Sequence, residues 1–210
     1  DTDSDGTGDN ADAFPNDASE TADSDNDGVG DNADYAPNDP NVTVAPALPE
    51  QAVFVDGAPT GLVNSNVDVT VVYATSDDNT SLTGLGIRLY YDSSVLTFVE
   101  ISNQLSKDLI GVYGPNNDTD DGDSDPSTDK YINGSWAAFN VNNGWPGTES
   151  AELFTVTFAV NETSSASTDI NFTSTSTAVG YEFDGESYSM DIIEGSFDFD
   201  GNGTFDALTD

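Results

Sequence analysis

Neither cysteine nor histidine occurs in the 210 residues, and lysine and arginine together number three against 40 aspartates and glutamates. Without a thiol or an imidazole there is no cysteine nucleophile, no histidine general base and no soft-ligand zinc site. The absence of cysteine leaves the redox compartment open. Arg88, Lys107 and Lys130 cannot neutralise a run of phosphates, so the formal charge of −37 excludes an electrostatic nucleic-acid binder and disfavours an anionic membrane surface. No run of about 18 apolar residues is present, which excludes a transmembrane helix and membrane insertion by one. No leader peptide is read at the first residues. The scarcity of lysine fits a salty medium.

What the sequence has instead is aspartate and glycine in register. Asp1, Asp3, Asp5, Gly6, Gly8, Asp9 and Asp12 recur 22 residues later as Asp23, Asp25, Asp27, Gly28, Gly30, Asp31 and Asp34. Pro15 and Asp17 keep the same step to Pro37 and Asp39. Acids at loop positions 1, 3, 5, 9 and 12 around a glycine at 6 supply the six to eight hard oxygens that calcium takes at roughly 2.3–2.6 Å. Position 7, here Thr7 or Val29, lends its carbonyl. Glycine at position 6 permits the positive φ that curls the chain round an ion. Three plainer readings compete: a solvated or disordered acidic spacer, an acidic surface of the high-salt kind, and magnesium. Neither of the first two predicts glycine and aspartate repeating in register, and magnesium demands stricter octahedral geometry.

DTDSDGTGDNADAFPND and DSDNDGVGDNADYAPND together resemble bacterial thrombospondin type 3 repeats over about the first 40 residues. The resemblance implies a segment almost without apolar core, wrapped around a row of calcium ions, sometimes two per repeat. It carries over to the acids named above, with Asp17 and Asp39 as bridging ligands.

The composition shifts after Asp39. Pro40, Pro46 and Pro49 mark residues 41–50 as a stiff linker, because proline fixes φ and biases its predecessor away from helix. The alternative is that Val42 and Val44 begin a first strand. From residue 51 to 194 the apolar pattern has period two: Val67, Val69, Val71 and Tyr73 alternate with Asn66, Asp68, Thr70 and Val72. Leu85, Ile87, Leu89 and Tyr91 then share one face, with Arg88 and Tyr90 on the other. Such alternation predicts half-buried strands. Further strands are expected at 95–101, 131–141, 153–160, 170–173, 179–183 and 188–193, with turn formers between them and no amphipathic helix. Roughly nine short strands without βαβ alternation predict an all-β, antiparallel, jelly-roll-like sandwich, preceded by the irregular calcium-wrapped repeats.

VDVTVVYATSDDNTSLTGLGIRLYYDSSVLTFVEI and AELFTVTFAVNETSSASTDINFTS resemble a cohesin-type domain, through a glycine-led strand ending in Tyr91 and Asp92 and a late Leu-Phe-x-Val-x-Phe strand. The resemblance implies a sandwich of the kind that binds dockerins; some carbohydrate-binding modules share the architecture. Fold likeness alone does not fix function. Within this domain the loop holding Asp118, Asp120, Asp121, Asp123, Asp125 and Asp129 reads first as a solvated insertion, with a metal site as the alternative. Trp145 in a turn reads as a cap on the sandwich, with sugar stacking as the alternative.

Residues 195–210 hold a third candidate loop. In DFDGNGTFDALTD, Asp198, Asp200, Asn202, Thr204 and Asp206 take positions 1, 3, 5, 7 and 9, and Asp210 lies one place beyond the usual closing acid. This resembles the first calcium loop of a dockerin, without the helix that follows it there.

These readings converge on a non-enzymatic, extracellular calcium-binding module of a surface, adhesive or matrix-forming polypeptide, ordered by calcium and able to assemble with copies of itself. The alternative is a carbohydrate-binding or cohesin/dockerin scaffolding accessory of a polysaccharide-degrading system. Carboxylate pairs abound, but so many acids make no pair distinctive for glycosidase chemistry. There is no nucleophile-serine motif and no phosphate-binding glycine loop.

Overall fold

The computed structural model describes residues 1–79, 84–137, 150–163 and 165–194. The chain divides into two compact units, Asp1–Ala47 and Leu48–Asp210. The division falls within the stretch read as linker.

The first unit is a succession of turns and bends with neither strand nor helix. Its buried side chains are three acids, Asp12, Glu20 and Asp34. Globular interiors are closed by apolar groups, and acids are almost never fully buried without a partner. This unit therefore buries the residue class that water holds most strongly.

The second unit is all-β, with eleven strands among the described residues. They are β1 (Glu50–Val55), β2 (Gly61–Leu62), β3 (Asn66–Thr75), β4 (Gly84–Tyr91), β5 (Leu96–Ser102), β6 (Leu109–Asn117), β7 (Lys130–Ala137), β8 (Ala151–Val160), β9 (Ser167–Ser176), β10 (Glu182–Gly185) and β11 (Tyr188–Ile193). One sheet runs β10-β1-β3-β8-β5 and the other β2-β11-β9-β4-β7-β6. Pairing is antiparallel except where β1 meets β10 and β11 meets β2.

The core lies between the two sheets. Alternation puts Val67, Val69, Val71 and Tyr73 of β3 into it, opposite Leu85, Ile87, Leu89 and Tyr91 of β4. Tyr91 meets Phe158 at 4.7 Å and Trp136 stacks on Phe154 at 6.2 Å between ring centroids, each contact joining one sheet to the other. Gln51, a fully buried polar side chain of β1, is satisfied: it donates to the Tyr73 hydroxyl at 2.9 Å and accepts the Ala178 amide at 2.6 Å.

The expected sandwich is present, with local differences. β1 opens at Glu50, so Val42 and Val44 do not begin a strand. β1, β2 and β6 were not foreseen. The strand expected at 179–183 is β10, four residues long, and Val179 stands exposed ahead of it. The strand expected at 131–141 is described as far as Ala137. Tyr90 shares the outer face of β4 with Arg88, yet it is fully buried. The Tyr131 ring at 5.5 Å and the acidic loop cover it, and a Cβ on Gly122 would come within 2.6 Å of its hydroxyl. No helix among the described residues is long and apolar enough to cross a membrane.

Candidate cation sites

Each repeat folds its acids inward by the same local device. The Asp3 carboxylate accepts the Asp5 amide at 3.2 Å, and Asp5 accepts that of Thr7 at 2.6 Å. One repeat later Asp25 accepts the amide of Asp27 at 3.3 Å and Asp27 that of Val29 at 2.8 Å. Asp12 and Asp34 likewise take the amides of Phe14 and Ala36. An aspartate bonded to the backbone two residues on closes a tight turn with its second oxygen free to face inward. Gly6 and Gly28 stand at φ of 102° and 97°, as position 6 requires. Ser4 and Asn26 also adopt positive φ, 72° and 64°, so each loop takes two left-handed steps.

The inward oxygens are what distinguish the site. Oδ2 of Asp3, Asp5 and Asp12 in the first repeat, and of Asp25 and Asp27 in the second, is buried and accepts no hydrogen bond. Oxygens of Asp1, Asp3 and Asp5 lie within 4.8 Å of one another, as do those of Asp23, Asp25 and Asp27. The Asp25 carboxyl is pushed above the usual range by burial first, then by the charge of Asp27, with Asp34 and Asp23 adding to it. No lysine or arginine occurs before Arg88 in the sequence. The first unit thus has no side-chain cation of its own with which to answer these oxygens. An all-oxygen donor set of several carboxylates with a carbonyl at position 7 suits calcium, and the orphaned oxygens fit that ion.

The other expected ligands are used differently. Asp9 gives one oxygen to the Thr2 amide at 2.8 Å and the other to its hydroxyl at 2.9 Å; Asp31 does the same with Ser24 at 2.7 and 2.6 Å. These acids clamp the start of the loop to its end, and neither joins an oxygen cluster. Asp17 and Asp39 cap turns on Ser19 and Asn41, whose hydrogen bonds hold both carboxyls below the ordinary aspartate range. The hydroxyls at Thr2 and Ser24 were legible as a repeated polar position, but their role was not read. Glu20, buried between the repeats, was missed altogether. Asp198, Asp200, Asn202, Thr204, Asp206 and Asp210, and also Trp145, lie outside the described residues.

A third cluster sits on the sandwich, where Asp118, Asp121 and Asp123 bring oxygens within 4.8 Å. Here the carboxylates find protein donors. Asp118 accepts the Gly122 amide at 3.0 Å, and Asp123 accepts Thr128 Oγ1 at 2.7 Å and Asn171 Nδ2 at 2.9 Å. The Asn171 amide reaches Asp125 as well, at 3.1 Å. None of these acids has a buried oxygen left over, in contrast with both repeats.

No protein-family model matches the sequence, and no curated protein sequence matches it. Solved structures with a similar backbone include a cohesin module from a family 33 glycoside hydrolase of Clostridium perfringens, at 13% identity and a TM-score of 0.48, covering 70% of this chain and 98% of that chain. A cohesin of Clostridium thermocellum, solved as a type I cohesin–dockerin complex, aligns at 12% identity and 0.47, covering 70% and 100%. A cohesin from Acetivibrio cellulolyticus, also solved with a dockerin, aligns at 13% and 0.46, covering 70% and 99%. These are likenesses of backbone path; the two-sheet architecture of this chain rests on its own strand order and core.

Proposed function

We propose that this chain is an extracellular, non-enzymatic structural module whose repeat segment is ordered by calcium and whose β-sandwich folds without it. The observation that carries the reading is the set of buried, unpartnered Oδ2 atoms at Asp3, Asp5, Asp12, Asp25 and Asp27, in a unit whose buried side chains are acids. A segment that cannot gain stability from apolar burial can take it from ion binding, because a ligand that binds only the ordered state stabilises that state by mass action. The residues divide the work. Asp1, Asp3 and Asp5, and then Asp23, Asp25 and Asp27, supply the clustered oxygens; Asp12 and Asp34 close each loop; Asp9 and Asp31 lock its entry. A loop built to answer millimolar calcium is at home outside the cell, where modules of this kind have dissociation constants of about 10⁻⁴–10⁻³ M.

Calorimetric titration of the full chain with calcium, repeated with magnesium, tests the proposal. The expected result is saturable calcium binding with at least one ion per repeat and weaker binding of magnesium. Absence of saturable calcium binding would refute it.

The scaffolding alternative draws on one feature of the sandwich. β6 lies at the edge of its sheet and exposes Ile110 and Tyr113, 66% and 57% open to solvent. An open edge with apolar side chains suits a protein partner, whether a dockerin-like chain or a second copy. Size-exclusion chromatography with light scattering, in calcium and in chelator, separates self-association from a monomer awaiting another protein.

A further inference from the structure

The first 47 residues hold a single glutamate, Glu20, whose counterpart one repeat later is Val42. It is 6% exposed and belongs to neither oxygen cluster. Its carboxylate accepts the Asn32 amide at 3.0 Å, and the side chain lies so flat across Gly30 that a Cβ there would overlap the carboxyl group. Gly8, the matching glycine of the first repeat, is open on that side. The Gly30 carbonyl in turn accepts the amides of Ala33 and Asp34, each at 2.9 Å, and so heads the turn that presents the closing acid Asp34. On its other side the Glu20 segment is tied to the first loop, since Ala13, next to the closing acid Asp12, donates to the Thr21 carbonyl at 3.2 Å. Asn32 Nδ2 completes the joint with a bond to the Ser19 carbonyl at 2.8 Å, and Asp31 donates to Ala22 at 2.9 Å.

We infer that Glu20 is a positioning residue for the second cation loop: it holds the Gly30–Asp34 turn against the exit of the first loop and couples order in one loop to binding in the other. This rests on the calcium reading above. A buried carboxylate without a ligand role is costly to retain, and here its one polar contact spans the junction of the repeats. Two sites joined through a shared element influence each other's affinity by a common factor.

The test is a calcium titration of the full chain followed by NMR at the Thr7 and Val29 amides, which report the two loops separately, with the β-sandwich amides as a folding control. Glu20→Ala is expected to weaken binding at Val29 about tenfold, the scale of one lost hydrogen bond to a charged group, and to weaken it less at Thr7. Glu20→Gln, which keeps an acceptor for the Asn32 amide, should restore most of that loss. Gly30→Ala should reproduce Glu20→Ala by displacing the side chain. Emptying the first loop with Asp3→Asn and Asp5→Asn should weaken the second loop when Glu20 is present and have no further effect in Glu20→Ala. Equal losses at both loops without rescue by Glu20→Gln, or no loss at all, would overturn the inference while leaving calcium binding intact. No calcium response at either amide in the unaltered chain would overturn the calcium reading and this inference with it.

Discussion

At Asp25 one carboxylate oxygen takes the Asp27 amide and the other, buried, takes nothing. Such acids were legible in the sequence because ligand spacing is local: positions 1, 3 and 5 must converge if the chain turns at the glycine that follows. Glu20 was not legible, because its role depends on a contact with Asn32, 12 residues on, and on the missing side chain of Gly30. Tyr91 gives a second case in the core. It ends the motif used for the cohesin resemblance, and nothing in that motif speaks of its ionisation. Its phenol is pushed up to about 12, by burial first and then by the carboxylate of Asp129. The unfolded chain releases this proton near 10, so between roughly pH 10 and 12 the folded state binds more protons and stability falls as pH rises. The full loss is about 3 kcal/mol, two pKa units at 1.36 kcal/mol each. Tyr91→Phe should flatten this part of the alkaline unfolding profile relative to the unaltered chain, as read by urea titrations at pH 9 and 11.

The loops and strands differ in how much of their geometry a local pattern encodes. Gly6 and Gly28 follow from the spacing, whereas the left-handed residues Ser4 and Asn26 do not, since serine and asparagine adopt that conformation only when the turns around them require it. The loop therefore predicts unequal responses at neighbouring positions. Gly28→Ala should weaken calcium binding at the second loop, because a side chain at φ of 97° costs about 1–2 kcal/mol, roughly tenfold in affinity. Asn26→Gly, at 64°, should leave affinity within about twofold. Calorimetry on the two variants decides it. Among the strands, β3 and β4 were visible because Val67, Val69, Val71 and Tyr73, and then Leu85, Ile87, Leu89 and Tyr91, place apolar side chains at every second position, all of them buried. β6 was hidden: its sequence LIGVYGPNN has no alternation, carries Gly-Pro, and lies at an edge where burial is partial. The parallel pairing of β1 with β10 joins residues some 130 positions apart, a distance over which no local pattern carries information.

Across the whole molecule, 40 acids against three bases are distributed over two units with unlike interiors. The sandwich encloses Val, Leu, Ile, Phe, Tyr and Trp between its sheets. The repeat unit encloses acids. The chain divides between Ala47 and Leu48, within the stretch where Pro46 and Pro49 accompany the change of sequence pattern. Which face of the sandwich a partner would meet was not legible, because an edge becomes a surface only once the strand order is known. The contrast also sets the central prediction: withdrawing calcium should affect one unit and spare the other. Hydrogen exchange on the full chain in millimolar calcium and in excess chelator measures this most directly. The account predicts that the amides of Asp5, Thr7, Asp27 and Val29 lose protection in chelator while those of β3, β4 and β8 keep theirs. Equal protection of the aspartate loops in both conditions would contradict it.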